Sequence, residues 1–324
     1  MLHATPRLSA STDRQLRRLD ELRRRLSAGV RGPARWISSL RRLARAITVE
    51  SSTSIEGFSK PIAEALALLQ HQHAADDDAG QAIVCYAQAM DHVTVMADDP
   101  EFEWSKRIIL DLHFEACYFQ PDRFPGCWRT GAVVVTGPGG TVAYRGPAAE
   151  RVPELMGEVV DWLAAGDLDV HPVVRAAMAH LHVVSVHPFR DGNGRVSRIV
   201  QSMVLAREAL LAPEFASIEE WLGEHTPEYY AALHSSQGPQ YDPSVDASGW
   251  LRFCIQAHIE QAERRLQQVH AAAHRWEVLE SLTTQRDWPD RLATALERAL
   301  TGYVERAGYV GAVSYTHLRA HETG

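Results

Sequence analysis

The chain is 324 residues long, enough for one large domain or two modest ones with a substantial core. Hydrophobic residues make up 45% and charged residues 23%, as in soluble globular proteins, and the formal net charge of −8 speaks against a general nucleic-acid or membrane-surface binder while leaving local patches open. No apolar run approaches the roughly 18 residues of a membrane span, Met1–Ala10 lacks the apolar core of a secretory signal, and Cys85, Cys117, Cys127 and Cys254 form no CxxC pair. Free thiols and a cytoplasmic location are therefore expected.

Helical periodicity dominates the first half. Leu16, Leu19, Leu22 and Leu26 recur at helical spacing until Gly29-Val30-Arg31-Gly32-Pro33 breaks the pattern. A second amphipathic run starts near Trp36 and continues through Leu40, Leu43 and Ile47. A short segment from Ser51 to Glu56 ends at Gly57, a natural helix C-terminus. Further helices are predicted near 60–74, 80–97 and 103–118. Trp128 to Thr136 then carries Val133-Val134-Val135, Gly137-Pro138-Gly139-Gly140 supplies a tight reversal, and Thr141 to Tyr144 returns, predicting one β-hairpin. Helices resume near 150–165 and 172–186 and after Gly194, and later ones include Tyr229-Tyr230 and Trp250 to His270. After Gln285 to Asp290, a fresh helix over Arg291 to Leu300 reads as the start of a second, small helical domain.

From Val313 to Thr323 the chain resembles the conceptual translation of a sequencing-library adapter, so it is set aside, and His317 and His321 are not read as metal ligands. The natural protein is expected to continue past about Ala312. The predicted organisation is thus an N-terminal helical region over 1–58, a core over 59–275, the start of a further helical domain over 285–312, and a non-native tail over 313–324.

The chemistry gathers at His187 to Arg198. An apolar helical run from Val173 to Val186 stops at His187-Pro188. Gly192-Asn193-Gly194 can aim successive backbone N–H groups into one concavity, and the next helix adds its positive N-terminal end. Arg195 and Arg198, three apart, share a helical face and suit an anion held there. Asp191 places a carboxylate where it would suit Mg²⁺, and His187 titrates where it can accept a hydroxyl proton. Phe189 reads as core and Arg190 as exposed.

These twelve residues resemble the Fic signature, His-Pro-Phe-x-Asp/Glu-Gly-Asn-Gly-Arg-x-x-Arg, at all nine defined positions, and the likeness extends over roughly 33–270. The resemblance implies an all-α fold with one β-hairpin flap, and a protein adenylyltransferase that moves AMP from ATP with Mg²⁺ to a Ser, Thr or Tyr hydroxyl. It implies His187 as base, Asp191 as the Mg²⁺ ligand, Gly192, Asn193 and Gly194 as the phosphate cradle, Arg195 on the transferring group and Arg198 on the γ-phosphate. Val142, Ala143 and Tyr144 of the flap would pair with an extended target segment. Tyr229 and Tyr230 resemble the family's adenine-side residues, although buried packing suits them equally. The family often carries a winged-helix module where the last predicted helix begins.

Ser52-Thr53-Ser54-Ile55-Glu56-Gly57 resembles the family's inhibitory motif, Ser/Thr-x-x-x-Glu-Gly/Asn, and implies that Glu56 pairs with Arg198 in place of the γ-phosphate. Other readings remain: Glu56-dependent removal of AMP, a different donor, or a nucleotide-sensing transcriptional regulator. A metal hydrolase on His180, His182 and His187 is disfavoured because His180 and His182, two apart, point to different sides of a helix. The expected partners are ATP and a hydroxyl-bearing protein, without membrane or nucleic acid, and a homodimer is left open.

Overall fold

The structure, a computed structural model, describes residues 1–31, 35–70, 74–136, 142–208, 210–289 and 291–306, with backbone alone for 301–306. The adapter-like tail and the predicted reversal at 137–140 lie outside the described residues. The described chain is mainly helical, with a single two-stranded antiparallel sheet.

Helix α1 (Ala10–Val30) starts where the Ser9 hydroxyl accepts the Thr12 N–H, and its leucine stripe packs along α12 (Ser248–Gln285). At 38 residues α12 runs well past the predicted end at His270 and, at 1.5 Å rise per residue, spans roughly 57 Å. Ala272, Trp276 and Leu279 keep one face of this extension buried, which explains why it persists. Helix α2 (Arg35–Ser54) buries Trp36, Leu40, Leu43 and Ile47, and Gly57 ends its last turn at φ 88°. Helices α3 (Ile62–Leu69), α4 (Asp78–Asp98) and α5 (Lys106–Cys117) follow. Asp77 and Ser105 accept backbone N–H groups at the starts of α4 and α5, so α5 begins at Lys106 rather than near 103.

Strand β1 (Val134–Thr136) pairs antiparallel with β2 (Val142–Arg145), Val135 opposite Tyr144, with an irregularity at Val135/Thr136. The predicted first strand, 128–136, is regular only in its last three residues, because 128–133 is drawn into contacts with the loop below. Helices α6 (Val152–Ala165), α7 (Pro172–Val186) and α8 (Asn193–Ala206) come next, and α7 packs closely on α8. Three shorter helices, α9 (Pro213–Ala216), α10 (Glu219–Glu224) and α11 (Thr226–Gln237), lead into α12, and α13 (Arg291–Arg306) packs back on α12, α2 and α3.

Nearly every side chain of α7 is buried, so this helix forms the centre of the main core, with α1, α6, α8 and α12 around it. A second apolar cluster joins α4, α5 and the far side of α8. The junction between α7 and α8 is thus gripped by both cores, and that junction is the loop beginning at His187.

Candidate active site

Proline at 188 cannot continue α7, and His187 closes the helix in the left-handed region at φ 49°, its N–H donating to Val183 O at 3.0 Å. The ring Nδ1 lies 3.1 Å from Val184 O, a partner that can only accept. Nδ1 therefore carries the proton and Nε2 keeps its lone pair. Burial pushes the pKa of this histidine down to about 4, against the raising effect of Val184, so the ring is neutral at pH 7.

The loop is held from within and below. Asn193 accepts the Phe189 N–H at 2.8 Å and donates to Phe189 O at 3.0 Å, closing a ring across five residues. The Asn193 side chain is thereby committed to the loop itself, leaving the backbone to cradle an anion. Phe189 is fully buried, stacked 3.6 Å from His113 and 5.1 Å from Trp128, as its reading as core anticipates. Gly126 N–H donates to His113 Nδ1 at 2.8 Å, so Nε2–H donates to Asp191 O at 3.0 Å. Arg129 spreads its guanidinium over His187 O (2.8 Å), Gly131 O (2.8 Å) and Pro147 O (2.6 Å), while its own N–H donates to Pro188 O. Neither His113 nor Arg129 was singled out from sequence, since each works through backbone carbonyls and belongs to no spaced motif.

Helix α8 begins at Gly192, at φ 75°, where a Cβ would lie 2.4 Å from Cys117 Sγ. Asp191 is half-exposed, and its Oδ1 accepts the Gly192 N–H at 2.7 Å. The two arginines diverge. Arg195 is fully buried, donates to Ala116 O and Gln120 Oε1, lies over Phe58 and Phe119, and stands 3.8 Å from Asp191. Shared helical face notwithstanding, it is turned toward α5. Arg198, 1% exposed, donates through Nε to Ser52 Oγ (2.7 Å) and through one Nη to Ser52 O (2.9 Å) and Glu56 Oε1 (2.8 Å). Burial penalises its charge, yet Glu56 holds its pKa above the ordinary value. The Glu56 carboxylate also lies over Gly194, where a Cβ would meet Oε1 at 2.3 Å. An anion thus sits at the first turn of α8, supplied by the chain itself.

Tyr229 is buried, with its hydroxyl 3.1 Å from His180 Nε2, whereas Tyr230 is 47% exposed and donates to Ile55 O at 3.3 Å. Tyr144 is buried and its hydroxyl donates to Ser185 O, tying the hairpin to α7, while Val142 is exposed. Beyond Tyr144, β2 is already flanked: Arg145 N–H donates to Pro239 O and Arg145 O accepts the Tyr241 N–H. His180 and His182 do face different sides, His180 toward Gln201 and Tyr229, His182 toward His3 and Trp162. Among the described residues no group of three metal-ligating side chains is assembled.

Residues 103–205, which hold this helix–loop–helix with its left-handed histidine and its buried arginines, match the Fic/DOC family model. Over this stretch the chain carries a Fic domain. It is 40% identical over 86 residues to the protein adenylyltransferase fic-1 of Caenorhabditis elegans, covering 26% of this chain and 16% of that one. It is 31% identical over 160 residues to the protein adenylyltransferase Fic of Drosophila willistoni, covering 48% and 31%. The chain thus spans less than a third of the length of these relatives. A Fic family protein of Desulfovibrio desulfuricans G20 shares the fold with TM-score 0.69 at 20% identity, over 95% of this chain and 90% of that one. Residues 134–508 of Fic-1 from C. elegans superpose with TM-score 0.63 at 21% identity, over 81% and 74%.

Proposed function

We propose that this protein transfers AMP from ATP to a hydroxyl side chain of a target protein and is held in check by its own Glu56. The observation that carries this reading is the Glu56 carboxylate bound to Arg198 over Gly194, at the first turn of α8. A buried arginine and a helix N-terminus that accept a carboxylate there have the charge and geometry to accept a phosphate once the carboxylate leaves.

In this mechanism the target hydroxyl gives its proton to His187 Nε2, which the bond from Nδ1 to Val184 leaves free. The hydroxyl oxygen forms a bond to the α-phosphorus, the bond to the bridging oxygen of the β-phosphate breaks, and pyrophosphate leaves with that electron pair. Backbone N–H groups at Asn193 and Gly194 cradle the phosphates, Gly192 shapes the turn while its own N–H holds Asp191, and Arg198 takes the γ-phosphate, so catalysis is chiefly positioning and electrostatics. Asp191 fits Mg²⁺ arriving with ATP: one oxygen is engaged by Gly192, the group is half-exposed, and such sites need one or two protein carboxylates. The ion would supply charge neutralisation on the phosphates. Arg195, with its bonds to Ala116 and Gln120, acts in this reading as the pillar beneath Asp191. Tyr230, at the surface beside Ile55, is the better placed of the two tyrosines to meet the adenine. At the flap, the open edge of β2 is the stretch around Val142 and Ala143, which suits addition of a short target strand. No described helix is long and apolar enough to cross a membrane.

With Glu56 docked, the γ-phosphate is displaced and the α-phosphorus misaligned, and a 1 Å misplacement can cost on the order of 10²-fold. Glu56→Gly is therefore expected to raise self-labelling from α-labelled ATP by about tenfold or more, equivalent to about 1.4 kcal/mol of bias per tenfold. Adding His187→Ala should remove that gain, since a general base contributes roughly 10²–10⁴-fold. Equal labelling by wild type and Glu56→Gly would sink the inhibitory reading, and labelling that survives His187→Ala would sink the base.

A further inference from the structure

Away from the loop, one face of α2 forms the wall of an open cavity of about 700 Å³, within the size range of small-ligand sites. The opposite walls come from α4 and from the start of α9. Four guanidinium groups line it, Arg35, Arg41, Arg42 and Arg45, against two carboxylates, Asp91 and Glu214. Arg41 is paired with Glu214 at 2.9 Å and Arg45 with Asp91 at 2.7 Å. Arg35 and Arg42 have no carboxylate partner among the described residues, and Arg42 donates only to Ser39 Oγ. Arg45 Nε is buried without a partner. Two positive charges are thus left over in a chain whose net charge is −8. Ile37, Val49, Met90 and Pro213 give the cavity an apolar side, and Ser38, Thr48 and Thr94 offer hydroxyls.

We infer that this cavity is an effector site for a small organic phosphate, a dianion with an apolar body, whose binding pins α2 in its docked position. The head group would lie between Arg35 and Arg42, where guanidinium forks suit phosphate, and the body on Ile37, Val49 and Met90. The occupant touches α2, α4 and α9 together, so it binds best when α2 is seated as it is here. By linkage, a ligand that favours this state shifts the protein toward it. The same helix carries Ser52 in its last turn and leads straight into Glu56, and the two hold Arg198. A buried polar chain runs the same way. Thr48 Oγ1, in the cavity wall, lies 3.3 Å from Ser217 Oγ, which hydrogen-bonds the Glu219 carboxylate. Glu219 also accepts from Ser202 (3.2 Å) and from Tyr86 (3.5 Å), whose hydroxyl feels the charge of Arg198. The cavity is therefore joined to the Glu56–Arg198 pair by one helix, and a hydrogen-bonded chain from Thr48 runs as far as Tyr86. The regulatory half of this inference rests on the AMP-transfer reading; the binding half does not.

The test uses the full chain with phenyl phosphate as probe. Calorimetric titration is expected to show one site, weakened at least tenfold by Arg35→Gln/Arg42→Gln and by Thr94→Trp, which fills the cavity from α4 without altering α2. Two variants on different helices guard against a misfolded one, and circular dichroism checks both. Absence of binding at millimolar probe, or binding unchanged in both variants, overturns the site. With Mg²⁺ and α-labelled ATP, saturating probe should lower self-labelling of wild type about fivefold and leave Arg35→Gln/Arg42→Gln unaffected. Unchanged labelling in wild type overturns the pinning of α2. A protein that binds the probe but labels under no condition, Glu56→Gly included, would instead overturn the AMP-transfer reading and leave the site standing.

Discussion

At Gly192 the loop demands an absent side chain. The residue sits at φ 75°, and a Cβ would come within 2.4 Å of Cys117 Sγ, an atom fixed on the buried face of α5. Gly192→Ala should therefore lower stability by about 2–4 kcal/mol, combining left-handed strain with overpacking, as measured by urea unfolding. A loss under 0.5 kcal/mol would mean that the loop relaxes freely. His187, Asp191 and the two glycines were legible because their types and spacing are fixed by one short segment. What the spacing could not give was direction. Helical period puts Arg195 and Arg198 on one face, yet the carbonyl of Ala116 and the amide of Gln120 draw the first toward α5. His113 and Arg129 were invisible for a related reason: a donor to a main-chain carbonyl needs no particular neighbour in sequence.

Among the elements, the end of α2 is the one whose displacement the proposed AMP transfer requires. Arg198 Nε bonds the Ser52 hydroxyl, and its Nη reaches both Ser52 O and Glu56. Ser52→Ala deletes one of these three bonds and spares the carboxylate. It should raise self-labelling by about two- to tenfold, the equivalent of one ordinary hydrogen bond, and less than Glu56→Gly does. A gain equal to that of Glu56→Gly would shift the weight of the lock from the carboxylate to the hydroxyl. Helices were readable where leucines marked them, as in α1, whereas the Ser105 cap of α5 went unread and its start was placed three residues early. The hairpin was readable in existence but not extent, because Arg129 pulls the preceding segment onto the loop beginning at His187. The length of α12 beyond His270 escaped notice since its buried face there is sparse, carried by Ala272, Trp276 and Leu279 among charged neighbours.

For the whole molecule, buried histidines set the response to acid. Burial lowers the pKa of His113 to about 4 and of His180, His182 and His258 to about 3, against an ordinary value of 6.5. Above pH 6.5 these rings are neutral both folded and unfolded, and the stability is fully present. Below 6.5 the unfolded chain takes up protons that the folded chain refuses, so stability falls at up to about 1.4 kcal/mol per pH unit for each ring. Four rings acting together should give a steep unfolding transition near pH 5, followed by circular dichroism. Replacing His182, which has no hydrogen-bond partner among the described residues, by Phe should move that transition to lower pH. A midpoint that stays put would show that His182 is protonated in the fold. Sequence alone could separate the faces of His180 and His182 but not their burial, which depends on what α6, α11 and the N-terminal segment lay over α7.

The ring that Asn193 closes on Phe189 holds the loop from within, so on the AMP-transfer reading the phosphate cradle is preformed. Control then falls to competition between two carriers of negative charge, one dissolved and one tethered. A tethered group acts at an effective concentration set by its linker, millimolar for a short flexible one and higher when, as for Glu56 at the end of a packed helix, its approach is aligned. ATP at cellular millimolar levels thus meets a rival of comparable or greater local concentration. Titrating in more nucleotide should do little to free the enzyme, and whatever lengthens or loosens the tether should do much.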